Sequence, residues 1–229
     1  MCGRYNLVAD AQAFVDAFQI MNEFDWQARY NIAPSQAVPV IRMNAQSRKA
    51  ALLHWGLIPS WARDRKIAYH TINARAETVD QKPAFRAAFR KRRCLIPATG
   101  FYEWRQLGKS KQPYNIRVKE QTLFAFAGLW EHWKSPAGEV LESCTIIVTR
   151  ASQALAPVHD RMPVILHPSD YASWLDPVNQ DLPALKALLQ PWPGELIIYP
   201  VSRRVGNPAN DDPSLIQPLA EGIPDNAEH

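Results

Sequence analysis

Apolar residues recur at helical spacing in only four stretches of the chain. These are about 9–20 (ADAQAFVDAFQI), 83–92 (PAFRAAFRKR, with Pro in its first turn), 168–175 (PSDYASWL) and 181–190 (DLPALKALLQ). Short apolar and β-branched runs predict strands at 38–43, 51–55, 113–118, 122–130, 141–149, 162–166 and 195–201. The run LESCTIIVT has the character of a central strand. Several of these strands follow one another with no helix between them. That order favours an α+β fold with mainly antiparallel sheet over a doubly wound one. Proline occurs 19 times and is spread throughout, which implies many turns and short elements. No repeat or linker divides the sequence, so residues 1–218 are read as one domain. Residues 219–229 are read as an acidic tail that frays.

Composition narrows the class. With 229 residues, 47% hydrophobic and 21% charged, the chain has the make-up of a soluble globular domain with a sizeable core. No apolar run approaches the roughly 18 residues of a membrane span. The start, MCGRYNLVAD, lacks a secretory signal, so a cytoplasmic location is expected. Cys2, Cys94 and Cys144 form neither a disulfide framework nor a structural zinc pattern. No metal or organic cofactor is expected. Cys94 and Cys144 each open an apolar run and are read as core.

Charge adds a partner class. Five of the 22 acids fall after residue 210, where there is no Lys or Arg; residues 1–210 therefore carry 26 basic against 17 acidic residues, a net +9. Within 63–119 there are fifteen basic residues and four acidic ones. Such an excess suits a polyanion, although a solvated basic face has the same composition.

Four segments hold candidate chemistry. Cys2 becomes the N-terminus if Met1 is trimmed, which places an amine and a thiol on adjacent carbons. The amine condenses with an aldehyde to an imine, and the thiol then closes a five-membered thiazolidine on the same carbon. Holding both groups on one residue gives ring closure a high effective concentration. In TINARAET (71–78), an extended backbone puts Asn73 and Arg75 on one face. Asn73 suits a sugar or imine, and Arg75 a phosphate. In PATGFYEW, Glu103 lies between aromatic residues; burial would raise its pKa and suit proton transfer. In VHDRMP, His159 can move protons, Asp160 can orient it and Arg161 can take a phosphate. Each of these residues taken alone also fits an ordinary turn, strand or loop role. Beside the basic zone lies WGLIPSW. There Trp55 is read as core and Trp61, after Pro-Ser, as exposed for base stacking.

The ordered set CGRY, WGLIPSWA, NARAET, GFYEW, HDRMP and VSRRVGN resembles the SOS response-associated peptidase (SRAP) family, the HMCES-like abasic-site processing proteins. The likeness runs from Cys2 to about Pro218. It implies a compact α+β fold around a twisted, barrel-like sheet with peripheral helices. It also implies covalent capture of abasic sites in single-stranded DNA, including at junctions with duplex; one-to-one capture needs only a monomer. By position it makes Cys2 the crosslinking residue and Asn73, Glu103 and His159 its catalytic companions. Arg4, Arg75 and Arg161 become phosphate contacts, and Trp61 an aromatic that packs on bases. The sequence departs from the pattern at Ala62, where some members carry a second aromatic, and at Gly206, where Asn is frequent. Two other readings stay open at this point: a thiol autopeptidase using Cys2 with His159 and Asn73, and a non-covalent nucleic-acid binding module.

Overall fold

The computed structural model describes residues 2–44 and 46–219; Met1 and residues 220–229 of the expected tail lie outside the described residues. The elements run β1 (Tyr5–Leu7), α1 (Ala11–Phe18), β2 (Arg29–Ile32), β3 (Ala37–Asn44), β4 (Ser47–Trp55), β5 (Asn73–Arg75) and α2 (Arg86–Lys91). They continue with β6 (Arg93–Ala98), β7 (Gly100–Leu107), β8 (Ser110–Val118), β9 (Phe124–Lys134), β10 (Val140–Arg150), β11 (Arg161–Pro163) and β12 (Ile165–Leu166). α3 (Tyr171–Leu175), α4 (Leu182–Ala187) and β13 (Leu196–Pro200) complete the order.

Five strands close on themselves. β4 pairs β3, β3 pairs β6, β6 pairs β9 and β9 pairs β10, all antiparallel, and β10 returns to β4 in parallel. Closure pairs each of these five strands on both sides. The C-terminal end of β10 runs past its pairing with β4 and extends the barrel wall at one end. There β5 joins it in parallel through Ile146↔Asn73, and β11 joins it antiparallel through Arg150↔Arg161. A second, antiparallel sheet has the order β13-β8-β7-β1-β2. It packs on the barrel through Tyr5, whose ring meets Trp55 at 5.4 Å and Phe126 at 5.8 Å, and through Phe101, 6.0 Å from Phe126. The α+β, mainly antiparallel architecture predicted from the pattern is therefore observed, and so is the barrel-like sheet that the resemblance implied. The parallel pairs of β10 are the exceptions.

The helices are shorter than their periodicity, and their caps explain why. The Asp10 side chain accepts from Ala13 N–H at 2.8 Å, so α1 begins at residue 11. It stops where Gln19 takes a left-handed conformation, φ 54°, and Ile20 turns away to bridge Arg48. Phe14 and Phe18 form its buried face. α2 ends at Lys91, and the buried guanidinium of Arg93, two residues on, donates to the carbonyls of Phe89 (2.8 Å), Arg90 (2.7 Å) and Trp174 (2.7 Å) and so ties α2 to α3. Asp181 caps α4 by accepting from Ala184 N–H at 3.1 Å.

Five strands lie outside the predicted ranges: β1, β2, β5, β6 and β7. β1 is too short to show a period at three residues, and β2 has four. β6 is buried on both faces along its whole length, so it reads as a continuous run with Arg93 and Pro97 inside it. β7 is apolar at one end and polar at the other, because its second half leaves the core as a hairpin with β8. Cys94, Cys144 and Trp55 are core, as expected, and Trp61 is exposed. Among the described residues no helix is long and apolar enough to cross a membrane.

Candidate active site

The pleat of β7 sets the site. Phe101 faces the barrel, so Glu103, two residues on, points the same way, while Tyr102 between them faces the opposite side. Tyr102 packs there with Val201, Val205 and Leu215. Glu103 is thereby buried where the two sheets meet. Burial is the main reason its carboxyl is raised to about 7, with the negative charge of Asp160 acting in the same direction. Glu103 is thus buried, and its pKa is raised as burial would require.

His159 comes from the loop before β11. Its Nε2 lies 3.8 Å from Glu103 Oε2 and its Nδ1 lies 3.1 Å from Asp160 Oδ1. Nδ1 also lies 3.0 Å from the Arg161 backbone N and 3.2 Å from Arg161 O, so it accepts from the Arg161 N–H in one tautomer and donates to Arg161 O or Asp160 in the other. Burial lowers the His159 pKa and favours the neutral ring.

Cys2 enters the same corner from the strand beside β7. Tyr5 pairs with Phe101, and Tyr102 N–H donates to Arg4 O at 3.0 Å, which carries the ladder one step toward Cys2. The Cys2 side chain is fully buried. Its Sγ lies 4.0 Å from Arg4 O. Burial pushes the thiol well above its ordinary range, and the nearby Glu103 charge adds to the rise. At neutral pH the thiol stays protonated.

The remaining motif arrives through an ion pair. Arg161 Nη1 meets Glu77 Oε1 at 2.6 Å, which ties HDRMP to NARAET. Asn73 and Arg75 sit on one face of β5, as the extended spacing predicted. Asn73 Nδ2 donates to Ile72 O at 3.1 Å, while its Oδ1 is buried without a protein donor among the described residues. It is an acceptor waiting for a hydrogen. Arg75 is exposed.

Arg4 differs from the other two arginines. Its guanidinium donates to Asn31 Oδ1 at 3.0 Å, Val205 O at 2.7 Å and Gly206 O at 3.0 Å. It fastens the start of the chain to the VSRRVGN turn. Asn31 adds bonds to the carbonyls of Val205 (3.1 Å), Asn207 (3.0 Å) and Asn210 (2.8 Å). Trp61 is 59% exposed, with Nε1 3.4 Å from Pro83 O.

The order of the motifs and the way they meet can now be set against known proteins. A family model, SOS response associated peptidase (SRAP), matches residues 1–208. The chain belongs to this family. It is 44% identical over 222 residues to the abasic site processing protein YoqW of Bacillus subtilis, covering 95% of this chain and 99% of that one. It is 34% identical over 223 residues to the abasic site processing protein HMCES of Xenopus tropicalis, covering 83% and 66%. A crystal structure of a protein from Bacteroides thetaiotaomicron superposes with a TM-score of 0.86 at 28% identity, covering 96% of this chain and all of that one. Glu77 was inside the quoted NARAET motif, but only the fold shows it holding Arg161. Asn31 and Asp211, which anchor β2 to the VSRRVGN turn, gave no such signal. Asp211 accepts from the backbone N–H groups of Tyr30 at 2.6 Å and Asn31 at 3.1 Å, and pairs with Arg29.

Proposed function

We propose that this protein processes abasic sites in single-stranded DNA, and at junctions with duplex, by bonding Cys2 covalently to the exposed sugar aldehyde. The observation that carries the reading is the placement of buried Cys2 within the field of Glu103, which itself lies beside neutral His159. The names of YoqW and HMCES point to the same substrate.

The chemistry follows from the groups present. An abasic deoxyribose is mainly a closed hemiacetal. Opening it breaks the bond from C1′ to the ring oxygen, moves a proton onto that oxygen and removes one from the anomeric hydroxyl. The Glu103–His159 pair can take one proton and give the other. With Met1 removed, the Cys2 amine adds to the aldehyde and water leaves, giving an imine. The thiol then adds across C=N. Sulfur bonds to carbon, and the thiol proton travels through the Glu103 carboxylate to nitrogen. A protonated thiol needs such a base. A carboxylate beside it disfavours the free thiolate that a thiol peptidase would use. Asn73 Oδ1 suits a sugar hydroxyl or the amine. Arg75 and Arg161 supply phosphate contacts, so capture weakens as salt rises. One chain suffices for one lesion, which a monomer satisfies.

The test is a single-stranded oligonucleotide with one abasic site, incubated with protein whose intact mass lacks Met1, then heated and run on a denaturing gel. A retarded band is expected. Cys2→Ala and Met1-retaining protein should give none. A heat-stable band from Cys2→Ala would sink the mechanism. A band from Met1-retaining protein would transfer the chemistry from the amine to the thiol alone.

A further inference from the structure

Between β4 and β5 the chain crosses the surface. Residues 61–70 carry two exposed rings, Trp61 at 59% and Tyr69 at 70%, with Arg63, Arg65 and Lys66 between them. This stretch is held from beneath. Ile58, Ala62 and Ala68 pack with Trp133, whose Nε1–H donates to Ala62 O at 2.7 Å. Asp64 caps the 3₁₀ turn Arg65–His70 by accepting from Lys66 N–H at 2.9 Å. The exposure of Tyr69 is therefore built on a buried base. Beside its ring runs a groove of about 600 Å³, with Arg65, Lys66, His54 and His70 among its walls and Leu141 adding an apolar wall.

The charges at this groove are available to a ligand. Arg65 lies 3.8 Å from Glu139 and Lys66 lies 3.9 Å from Asp64, both pairs well exposed. Pairs of that kind hold weakly and exchange a carboxylate for another anion at little cost. His54 is kept neutral mainly by burial and secondarily by the Arg65 charge. Tyr69 precedes Asn73 by four residues, so their Cα atoms are at most ~14 Å apart. The groove thus lies a short step along a strand from the lesion corner.

We propose that this groove is a second nucleotide subsite, in which Tyr69 stacks one base of the single strand flanking the lesion while Arg65 and Lys66 hold its phosphate. An exposed ring next to cations is the arrangement that binds single strands without reading sequence. The proposal rests on the single-strand capture read above, and its test separates the two.

The test measures fluorescence anisotropy with oligonucleotides bearing a central tetrahydrofuran abasic analogue, which has no aldehyde and cannot crosslink. One probe has about five nucleotides; others extend it by about ten on one side or the other. Wild-type protein should bind the short probe and gain affinity when one particular side is extended. Tyr69→Ala should lose ~5- to 100-fold of that gain, and Tyr69→Phe should keep it. Lys66→Ala should instead flatten the salt dependence on the extended probe. Val178→Ala, 80% exposed and outside both sites, should match wild type on every probe. Melting curves should coincide for all variants. A Tyr69→Ala protein that keeps the full gain overturns the subsite. So does a loss of equal size on short and extended probes, which would place the ring at the lesion itself. Wild-type protein that binds no probe would remove the single-strand reading and the subsite with it.

Discussion

Cys2 and the pair Cys94 and Cys144 occupy two regions that look alike by burial. All three side chains are fully enclosed, and burial pushes every thiol above its ordinary range. The neighbours differ. Cys94 and Cys144 lie among apolar barrel strands, where the Gly128 backbone passes so close to Cys94 that a Cβ there would meet Sγ at 2.9 Å. Cys2 shares its corner with Glu103 and, 3.8 Å beyond it, His159. Burial alone makes a thiol inert. Burial beside a carboxyl poised near neutrality gives it a proton acceptor.

The largest effect that could break this comparison is loss of the adduct. Cys2→Ala should abolish the heat-stable band. Cys94→Ala and Cys144→Ala should retain it and lose about 1–2 kcal/mol of stability in denaturant titrations. Loss of the band in a folded Cys144→Ala protein would erase the distinction.

Next is Glu103→Gln, expected to slow capture by about 10²–10⁴-fold. In wild-type protein the rate should climb with pH and level off above about 7, as the carboxylate forms; the variant should lack that limb. Stability should move the opposite way. The folded state holds the Glu103 proton more tightly than the unfolded chain does. The linked stability is complete below the ordinary 4.5 and is lost as pH rises through about 7. Glu103→Gln should therefore gain on the order of 1–3 kcal/mol over wild type at pH 8. Thermal melts at pH 4 and pH 8 give the sign.

The three arginines sharpen the comparison further. Arg4→Ala removes the donor to Asn31 Oδ1, Val205 O and Gly206 O and should lower stability by about 2–3 kcal/mol. Arg75→Ala should leave stability unchanged and reduce the slope of log affinity against log salt by about one. If Arg4→Ala changed only the salt slope, its structural role would be refuted. The smallest effect belongs to Glu77→Gln. Its half-exposed pair with Arg161 should contribute under about 1 kcal/mol, read by denaturant titration.

Much of this was legible in the order of residues. The runs that became β3, β4, β8, β9, β10 and β13 carried strand patterns, because one or both faces pack along most of their length. Glu103 was marked by its aromatic flanks, although those flanks pack on the opposite face of β7 and it is the meeting of the two sheets that buries the carboxyl. His159 and Asp160 were adjacent in sequence and remain in contact. β1 and β2 left too little chain to show a period, and Glu77 looked like any surface carboxylate until Arg161 met it.

The sequence by itself determined the residue types and the alternation that puts Glu103 and Tyr102 on opposite faces of one strand. Those are local properties, set by pleat, propensity and hydrogen-bond capacity within a few residues. Only the tertiary structure decided that Cys2, Glu103 and His159 share one corner and that Arg4 is spent on the VSRRVGN turn. It also decided which cysteine gains a carboxyl neighbour. These depend on closure of the barrel and on β5 and β11 docking at the far end of β10, contacts between segments up to two hundred residues apart. No local pattern encodes a pairing whose free energy comes from packing the whole core.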